Sequence, residues 1–455
     1  MDEKGSNTLL KEREDFISCK HENGSNKGMK CDSNSLSGAI SQRACVYCGA
    51  RVVLNPITDA CHIVHGPIGC ASYTWDIRGS LSSGDDLYRN SFSTDLGEKD
   101  IIFGGEKKLV AAIDGIMEKY TPKLIFVYAT CIVGVIGDDV KAICKTAEEK
   151  YSLPVIPVMA PGFAGHKSMG YKTAGNALMN LFSRNILPKV SGVNILGDFN
   201  LAGEMWIIKE YLKTIGVKVI SAITGDACYD ELKMASSASF NVVQCAGSMT
   251  NLAKRMEEEF DIPFVKISFV GLEDTKSSLL RIASLFKDKE IIERTQKFIK
   301  EEEAKILPTL NRYKENLKGK KAAIYVGGGF KAISLIKQFK ELGISTILVG
   351  TQTGKKEDYE VINSLVDDGT IVLDDANPAE LEKFMKEKGA DILAAGVKER
   401  PLAYKLGVAF CDHNHERKHP LAGFIGAVNF AKEVNDSVNS PVWKYVKEGG
   451  ENYER

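Results

Sequence analysis

The feature that most constrains this chain is a rhythm. Short runs of β-branched and aliphatic residues alternate with amphipathic stretches, and the alternation restarts twice along 455 residues. Leu109, Val110, Ile113, Ile116, Met117 and Tyr120 recur at helical spacing until Pro122 breaks the run, and Lys123–Ala129 then reads as a buried strand. Asp138–Tyr151 reads as a second amphipathic helix and Val155–Met159 as a second strand. The pattern restarts at Val193–Gly197, with a helix over Glu204–Thr214 and strands at Val217–Ile223, Asn241–Gln244 and Pro263–Ile267. A long charged helix, Lys289–Leu317, leads into a third series at Ala322–Val326, Thr346–Val349, Ile371–Leu373, Ile392–Ala394 and Val408–Phe410. Alternation of this kind specifies parallel sheets with helices on their faces. We therefore expect an α/β protein of three Rossmann-like, doubly wound parallel-sheet domains, with ligands at the carboxyl ends of strands.

Composition narrows the function classes. Lys plus Arg is 59 and Asp plus Glu is 60, so the chain carries no global field for nucleic acid or an anionic membrane. The first residues, MDEKGSNTLLKERED, lack an apolar signal region, and the longest strongly apolar uncharged run, Leu124–Gly137, is too short to span a bilayer. No nucleic-acid or membrane partner is expected, and the chain reads as cytoplasmic. Its eleven cysteines are odd in number and irregularly spaced, which argues against a disulfide scaffold. In a reducing compartment such thiols are core, metal ligands or catalysts.

Several cysteines fall where chemistry is expected. Cys131 directly follows the strand Lys123–Ala129, and Cys245 ends the strand Asn241–Gln244 in the same way. Cys45, Cys48, Cys61 and Cys70, with His62 and His65, crowd the irregular block Arg43–Gly84. Cys45-x-x-Cys48 opens no helix after a strand, as a thioredoxin-type motif would, and no second C-x-x-C completes a zinc ribbon. Thiolate-rich loops at strand ends suit zinc or iron–sulfur clusters, and on spacing alone inert core thiols explain them as well. His413 and His415, at i and i+2 after the last strand, suit one face of a metal site, although an exposed polar loop is the commoner cause of such a pattern. Val326-Gly-Gly-Gly-Phe-Lys-Ala332 fits G-x-G-x-x-A, but the next strand ends in Val349-Gly-Thr-Gln without an acid, so a dinucleotide is not expected. Helix-start N–H groups with Lys331 beside them suit an anionic ligand.

RACVYCGA, then PITDACHIVHGPIGC, then Trp75-Asp-Ile-Arg78-Gly together resemble the nitrogenase component 1 family, the α-type subunits of nitrogenase and their cofactor-assembly paralogues. The resemblance runs from about Arg43 to Trp443. Phe269-Val-Gly-Leu-Glu-Asp-Thr and Glu416-Arg-Lys-His-Pro-Leu-Ala-Gly-Phe are most similar to the α-like assembly paralogues. It implies that Cys45, Cys70 and Cys131 hold a 4Fe–4S cluster at an interface, completed by a thiolate of a β-like, NifN-type partner. It implies that Cys245 anchors a large iron–sulfur precursor of the iron–molybdenum cofactor, and that Arg78, Gly327, Gly328 and Lys331 line its pocket. Catalytic α subunits carry a cofactor-ligating histidine where this chain has Asn414, and a paired-histidine helix where it has Ser168-Met-Gly-Tyr-Lys. An amide oxygen is a poor substitute for imidazole on such a metal. His413 and His415 flank Asn414 and stand as alternative ligands.

The function so implied is a scaffold without independent catalytic activity. On it the precursor is bound, matured with molybdenum and homocitrate, and handed to apo-nitrogenase. The alternative is the catalytic α subunit of a nitrogenase or nitrogenase-like reductase. Implied partners are the β-like subunit in a heterotetramer, the nitrogenase iron protein as reductase and metal–homocitrate donor, NifB as precursor donor, and apo-nitrogenase as acceptor. Expected domains are a mobile arm over 1–36, domain I over 37–188 rejoined by 425–455, domain II over 189–318 and domain III over 319–424. Cys48, Cys61, Cys144, Cys228 and Cys411 match no cluster position, and His62 and His65 are expected in the core.

Overall fold

The computed structural model describes residues 11–20, 29–31, 44–75, 81, 83, 90–184, 186–413, 417–443 and 445; Arg78, Asn414 and His415 lie outside them. Its strands are β1 (Ile17–Cys19), β2 (Ala60–His65), β3 (Ser91–Ser93), β4 (Leu124–Ala129), β5 (Val155–Met159), β6 (Val190–Leu196), β7 (Val219–Ile223), β8 (Ala238–Val243), β9 (Phe264–Lys266), β10 (Lys321–Val326), β11 (Ser345–Thr351), β12 (Ile371–Asp374), β13 (Ile392–Ala395) and β14 (Ala409–Asp412).

They form three sheets, ordered β3-β2-β4-β5, β7-β6-β8-β9 and β1-β12-β11-β10-β13-β14. Every pairing is parallel except β1 on β12. Helices cover the parallel strands on both faces, which is why β2 and β4 are buried at every position. In each sheet the strand order reverses direction once, between β2 and β4, between β6 and β8, and beside β10. Ligands of doubly wound sheets collect at such switch points, outside the carboxyl ends of the strands.

The chain divides into two compact units. One comprises residues 44–267 and 278–296 and contains the first two sheets; the other comprises 268–277 and 297–455 with the N-terminal segment, and contains the third. In the first unit a single apolar core runs from Val46, Leu54 and Tyr128 through Leu178 and Phe182 to Leu252 and Met256.

Two expected boundaries need correction. Within 1–36, Ile17–Cys19 is an edge strand on β12, and Arg13 is buried against Glu380 at 2.8 Å while donating to the Asp374 carbonyl at 2.7 Å. Three backbone pairs and a buried ion pair tie residues 13–19 down, where a mobile arm was expected; the rest of 1–36 lies largely outside the described residues. The described residues after 425 pack with the third sheet, where domain I was expected. Phe430, Ala431 and Val434 of the Gly423–Val438 helix lie in the core of the third, with Val349 and Cys411.

Candidate thiolate sites

Cys45, Cys70 and Cys131 come together from three elements. Cys45 stands in extended conformation at the head of the Val46–Leu54 helix and bridges His166. Cys70 lies on the Ile68–Trp75 helix that follows β2, and Cys131 opens the Cys131–Ile136 helix that follows β4. Gly162, just after β5, is the common neighbour of Cys45 and Cys131. A methyl placed there would lie 2.9 Å from Cys131 Sγ, 3.3 Å from Cys45 Cβ and 3.7 Å from Cys45 Sγ. The Gly162 N–H donates to Cys131 Sγ at 3.1 Å. The Cys70 thiol is pushed up by burial first, then by Cys131 and Cys45. Three sulfurs crowding one another in this way favour a ligand that takes them as thiolates.

The chemistry of this set fits a sulfur-ligated group. Three thiols are the ligand type that iron–sulfur clusters take. The surrounding surface is apolar. Ile68 and Tyr73 beside Cys70, Val135 beside Cys131, and Phe163 beside Gly162 are exposed, Val135 at 73% and Phe163 at 66%. Exposed apolar side chains gathered around a polar centre mark a surface that another chain covers.

The neighbouring histidines belong to the core. His62 pairs with the Tyr128 hydroxyl at 2.9 Å and stacks on Phe126. His65 lies between Thr94 Oγ1 and Asp138 Oδ2, each at 3.0 Å. Burial lowers the pKa of both. Cys61 is likewise core, its thiol pushed up to about 12 by burial, and Cys144 is raised the same way.

Cys245 occupies in the second sheet the place Cys131 has in the first. It follows β8 at the switch point and heads the Ala246–Phe260 helix. Gly197, which follows β6 with φ +88°, lies so close that a methyl there would sit 2.9 Å from Cys245 Cβ. Glycine is needed there twice, for the left-handed backbone and for the approach of the cysteine. Cys245 remains partly exposed.

The Lys167–Phe182 helix runs between the two thiol sites. It crosses the Val46–Leu54 helix at Gly49 and Gly170, where a methyl on Gly49 would collide with the Lys167 carbonyl and lie 3.0 Å from Gly170 Cα. On this helix Lys167 is hydrogen-bonded to Tyr171. Burial alone would lower the Lys167 pKa; Tyr171 and Cys48 beside it raise it on balance. Tyr171, itself raised by burial, senses Cys245 as well as Lys167 and Cys48. Cys48 is hydrogen-bonded to Tyr73.

In the other unit the glycine turn after β10 is open where an anion would need it. A methyl on Gly327 or Gly328 would meet nothing closer than 3.9 Å, whereas one on Gly329 would run into Asp358. The third glycine therefore serves the packing of the Gly329–Glu341 and Lys356–Leu365 helices. Lys331 Nζ donates to the His413 carbonyl at 3.3 Å. The His413 ring is buried edge-on to Phe430, and neither ring nitrogen bonds to a described residue. Burial, then Lys331 and Arg417, hold it neutral.

Sequence reasoning missed Gly162, for which a glycine directly after a strand end, in Pro161-Gly162, was the available signal.

Residues 45–439 match the model of the family described as nitrogenase component 1 type oxidoreductase. A relative from Clostridium pasteurianum, named nitrogenase iron-molybdenum cofactor biosynthesis protein NifE, is 64% identical over 96% of this chain and 97% of its own. One of the same name from Methanosarcina barkeri is 52% identical over 96% and 97%. The solved structure "Nitrogenase Cp1 at pH 5" superposes with a TM-score of 0.89 at 32% identity, covering 96% of this chain and 97% of that one.

Proposed function

The chain belongs to the nitrogenase component 1 family, and we propose that within it the protein is the α-like subunit of a scaffold for assembly of the iron–molybdenum cofactor. The observation that carries this reading is the separation of the thiols. Cys45 and Cys131 meet at Gly162 with Cys70 beside both, while Cys245 stands at another switch point of the same unit.

Iron–sulfur clusters are what the family's thiols imply. Cys45, Cys70 and Cys131 would hold a 4Fe–4S cluster, which supplies electron transfer when bound, and a β-like, NifN-type partner would supply the remaining thiolate. The exposed Ile68, Tyr73, Val135 and Phe163 fit closure by that partner in a heterotetramer. The cofactor precursor is cargo. Cys245 would hold it through one sulfur bond, and a body held by one strong ligand can leave. Gly327, Gly328 and Lys331 offer N–H groups and a cation to an anionic ligand, homocitrate included. Arg78, Asn414, His413 and His415 belong to the same proposed binding group by resemblance. The iron protein, NifB and apo-nitrogenase are the proposed donor, supplier and acceptor in the cytoplasm. No described helix is long and apolar enough to cross a membrane.

A catalytic reading requires a second protein ligand on the held cluster. By resemblance alone, His413 or His415 would have to supply it. Anaerobic co-expression with the β-like subunit tests the main reading. Co-purification with iron and acid-labile sulfide well above one 4Fe–4S cluster per subunit pair is expected. An iron-free chain that binds no partner overturns the reading, and pulse EPR showing an imidazole nitrogen on the large cluster would favour the catalytic one.

A further inference from the structure

The three-thiol site leaves Cys48 unused, and the structure gives that sulfur a definite place. Cys45 is extended, bridges His166 through its backbone and heads the Val46–Leu54 helix. Its carbonyl accepts the Gly49 N–H at 3.2 Å, so the first helical turn runs from Cys45 through Cys48. Cys45-x-x-Cys48 therefore does open a helix, contrary to the expectation from sequence. All nine residues of that helix are buried, which left no amphipathic stripe to reveal it.

The two cysteines differ in access. Cys45 is partly exposed, whereas Cys48 is 3% exposed. A reagent from solution meets Cys45, and Cys48 is left for an intramolecular step. Cys48 is hydrogen-bonded to Tyr73, which stands one turn beyond Cys70 on the same face of the Ile68–Trp75 helix. The Cys48 sulfur thus lies on the side of its helix that faces the thiol site. Residues three apart on a helix hold their Cβ atoms about 5–6 Å apart, and a disulfide needs about 3.5–4.5 Å. An end turn of a helix can supply the remaining ~1–2 Å, and the strain this stores keeps the bond reducible. A C-x-x-C pair at a helix head beside a βαβ unit is the arrangement of dithiols that exchange with disulfides.

We propose that Cys45 and Cys48 form a redox-active dithiol that closes to a disulfide when the three-thiol site is empty, with low-molecular-weight disulfides as its substrate class. The Cys45 sulfur, giving up its proton, attacks one sulfur of the reagent. The reagent's S–S bond breaks, and one thiol leaves with that proton. The Cys48 sulfur then attacks the Cys45 sulfur of the mixed disulfide, and the second thiol leaves with the Cys48 proton. The protein loses two electrons and two protons, and the reagent gains both. A dithiol reductant reverses the sequence. While the bond stands, Cys45 cannot bind iron, so loading of the interface cluster waits on reduction. That gating rests on the assignment of Cys45 as a cluster ligand.

Trypsin cuts after Arg43 and Arg51 and releases the peptide 44–51, whose two cysteines are Cys45 and Cys48. The full-length chain is freed of iron anaerobically under dithiothreitol, desalted, treated with excess glutathione disulfide, blocked with N-ethylmaleimide and digested. Most of the peptide 44–51 is expected unlabelled and lighter by two hydrogens, and dithiothreitol should restore double labelling. Given iron and sulfide, the oxidised chain should load the interface cluster about tenfold more slowly than the reduced one. Cys48→Ala, loaded under dithiothreitol, should keep parent-like iron, because Cys48 is not a ligand; loss of the cluster there would overturn the dithiol role. A doubly labelled peptide, a persistent mixed disulfide at Cys45, or Cys45 cross-linked to Cys70 or Cys131 also overturns the proposal. Failure of the underlying assignment looks different: Cys45→Ala would then load a parent-like interface cluster, whatever the state of the dithiol.

Discussion

Replacing Gly162 by alanine should empty the three-cysteine site without unfolding the chain. The added methyl would stand 2.9 Å from Cys131 Sγ and 3.3 Å from Cys45 Cβ. Unstrained heavy-atom contacts lie at about 3.5–4.0 Å, so one sulfur must retreat by roughly 0.6 Å or more. Metal–sulfur bonds are only about 2.3 Å long and tolerate deviations of about 0.2 Å, so a displaced thiol ceases to be a good ligand. Overpacking of this kind costs about 2 kcal/mol, and the same strain applied to cluster retention corresponds to ~30-fold. The backbone itself accepts alanine, because Gly162 does not occupy the left-handed region. The assay is iron and sulfide per chain after anaerobic desalting, with thermal unfolding as the control for fold. Gly115→Ala, in the Glu106–Lys119 helix with nothing within 4 Å, should keep full iron. A Gly162→Ala protein with parent-like iron and a parent-like interface-cluster EPR signal would refute the geometry argued for the triad.

Other substitutions probe the framework. Gly49→Ala puts a methyl against the Lys167 carbonyl, backbone against backbone, and should cost about 2 kcal/mol after the gain in helix propensity; urea unfolding of the purified chain measures it. Arg13→Ala leaves Glu380 buried without its cation and should destabilise the unit by about 3–5 kcal/mol, detectable as early protease cleavage of the N-terminal segment; unchanged proteolysis would count against the docked strand. Burial raises the Glu399 pKa to about 7, so its contribution is full below the unfolded carboxyl value near 4.5 and is lost as pH rises through about 7. Glu399→Gln should therefore be near neutral at pH 5 and stabilising by ~1–3 kcal/mol at pH 8, and an equal effect at both pH values would contradict the assigned cause.

Much of the fold was legible because its strands and helices keep clean periods. Val155–Met159 and Lys289–Leu317 coincide with the elements read from their pattern, and most other strands shift by one to three residues at an end. The block from Arg43 to Gly84 resisted for a physical reason. All nine residues of the Val46–Leu54 helix are buried, and β2 is buried throughout, so neither shows an amphipathic stripe or an alternation. β1 has three residues, too few to display a period. For the thiol sites, position after a strand singled out Cys131 and Cys245 from pattern alone. Cys45 and Cys70 emerged as partners only through family resemblance. Cys45 meets Cys131 at Gly162, which approaches them through tertiary closure and carries no local mark.

The central claim is that two cluster sites exist on this chain, one of three shared thiols and one of a single thiol. The most direct measurement compares Cys245→Ala with Cys70→Ala in the partner complex by iron content and EPR. The account predicts that Cys245→Ala loses the large cluster and keeps the interface cluster, while Cys70→Ala does the reverse. Depletion of the same cluster by both substitutions would contradict it.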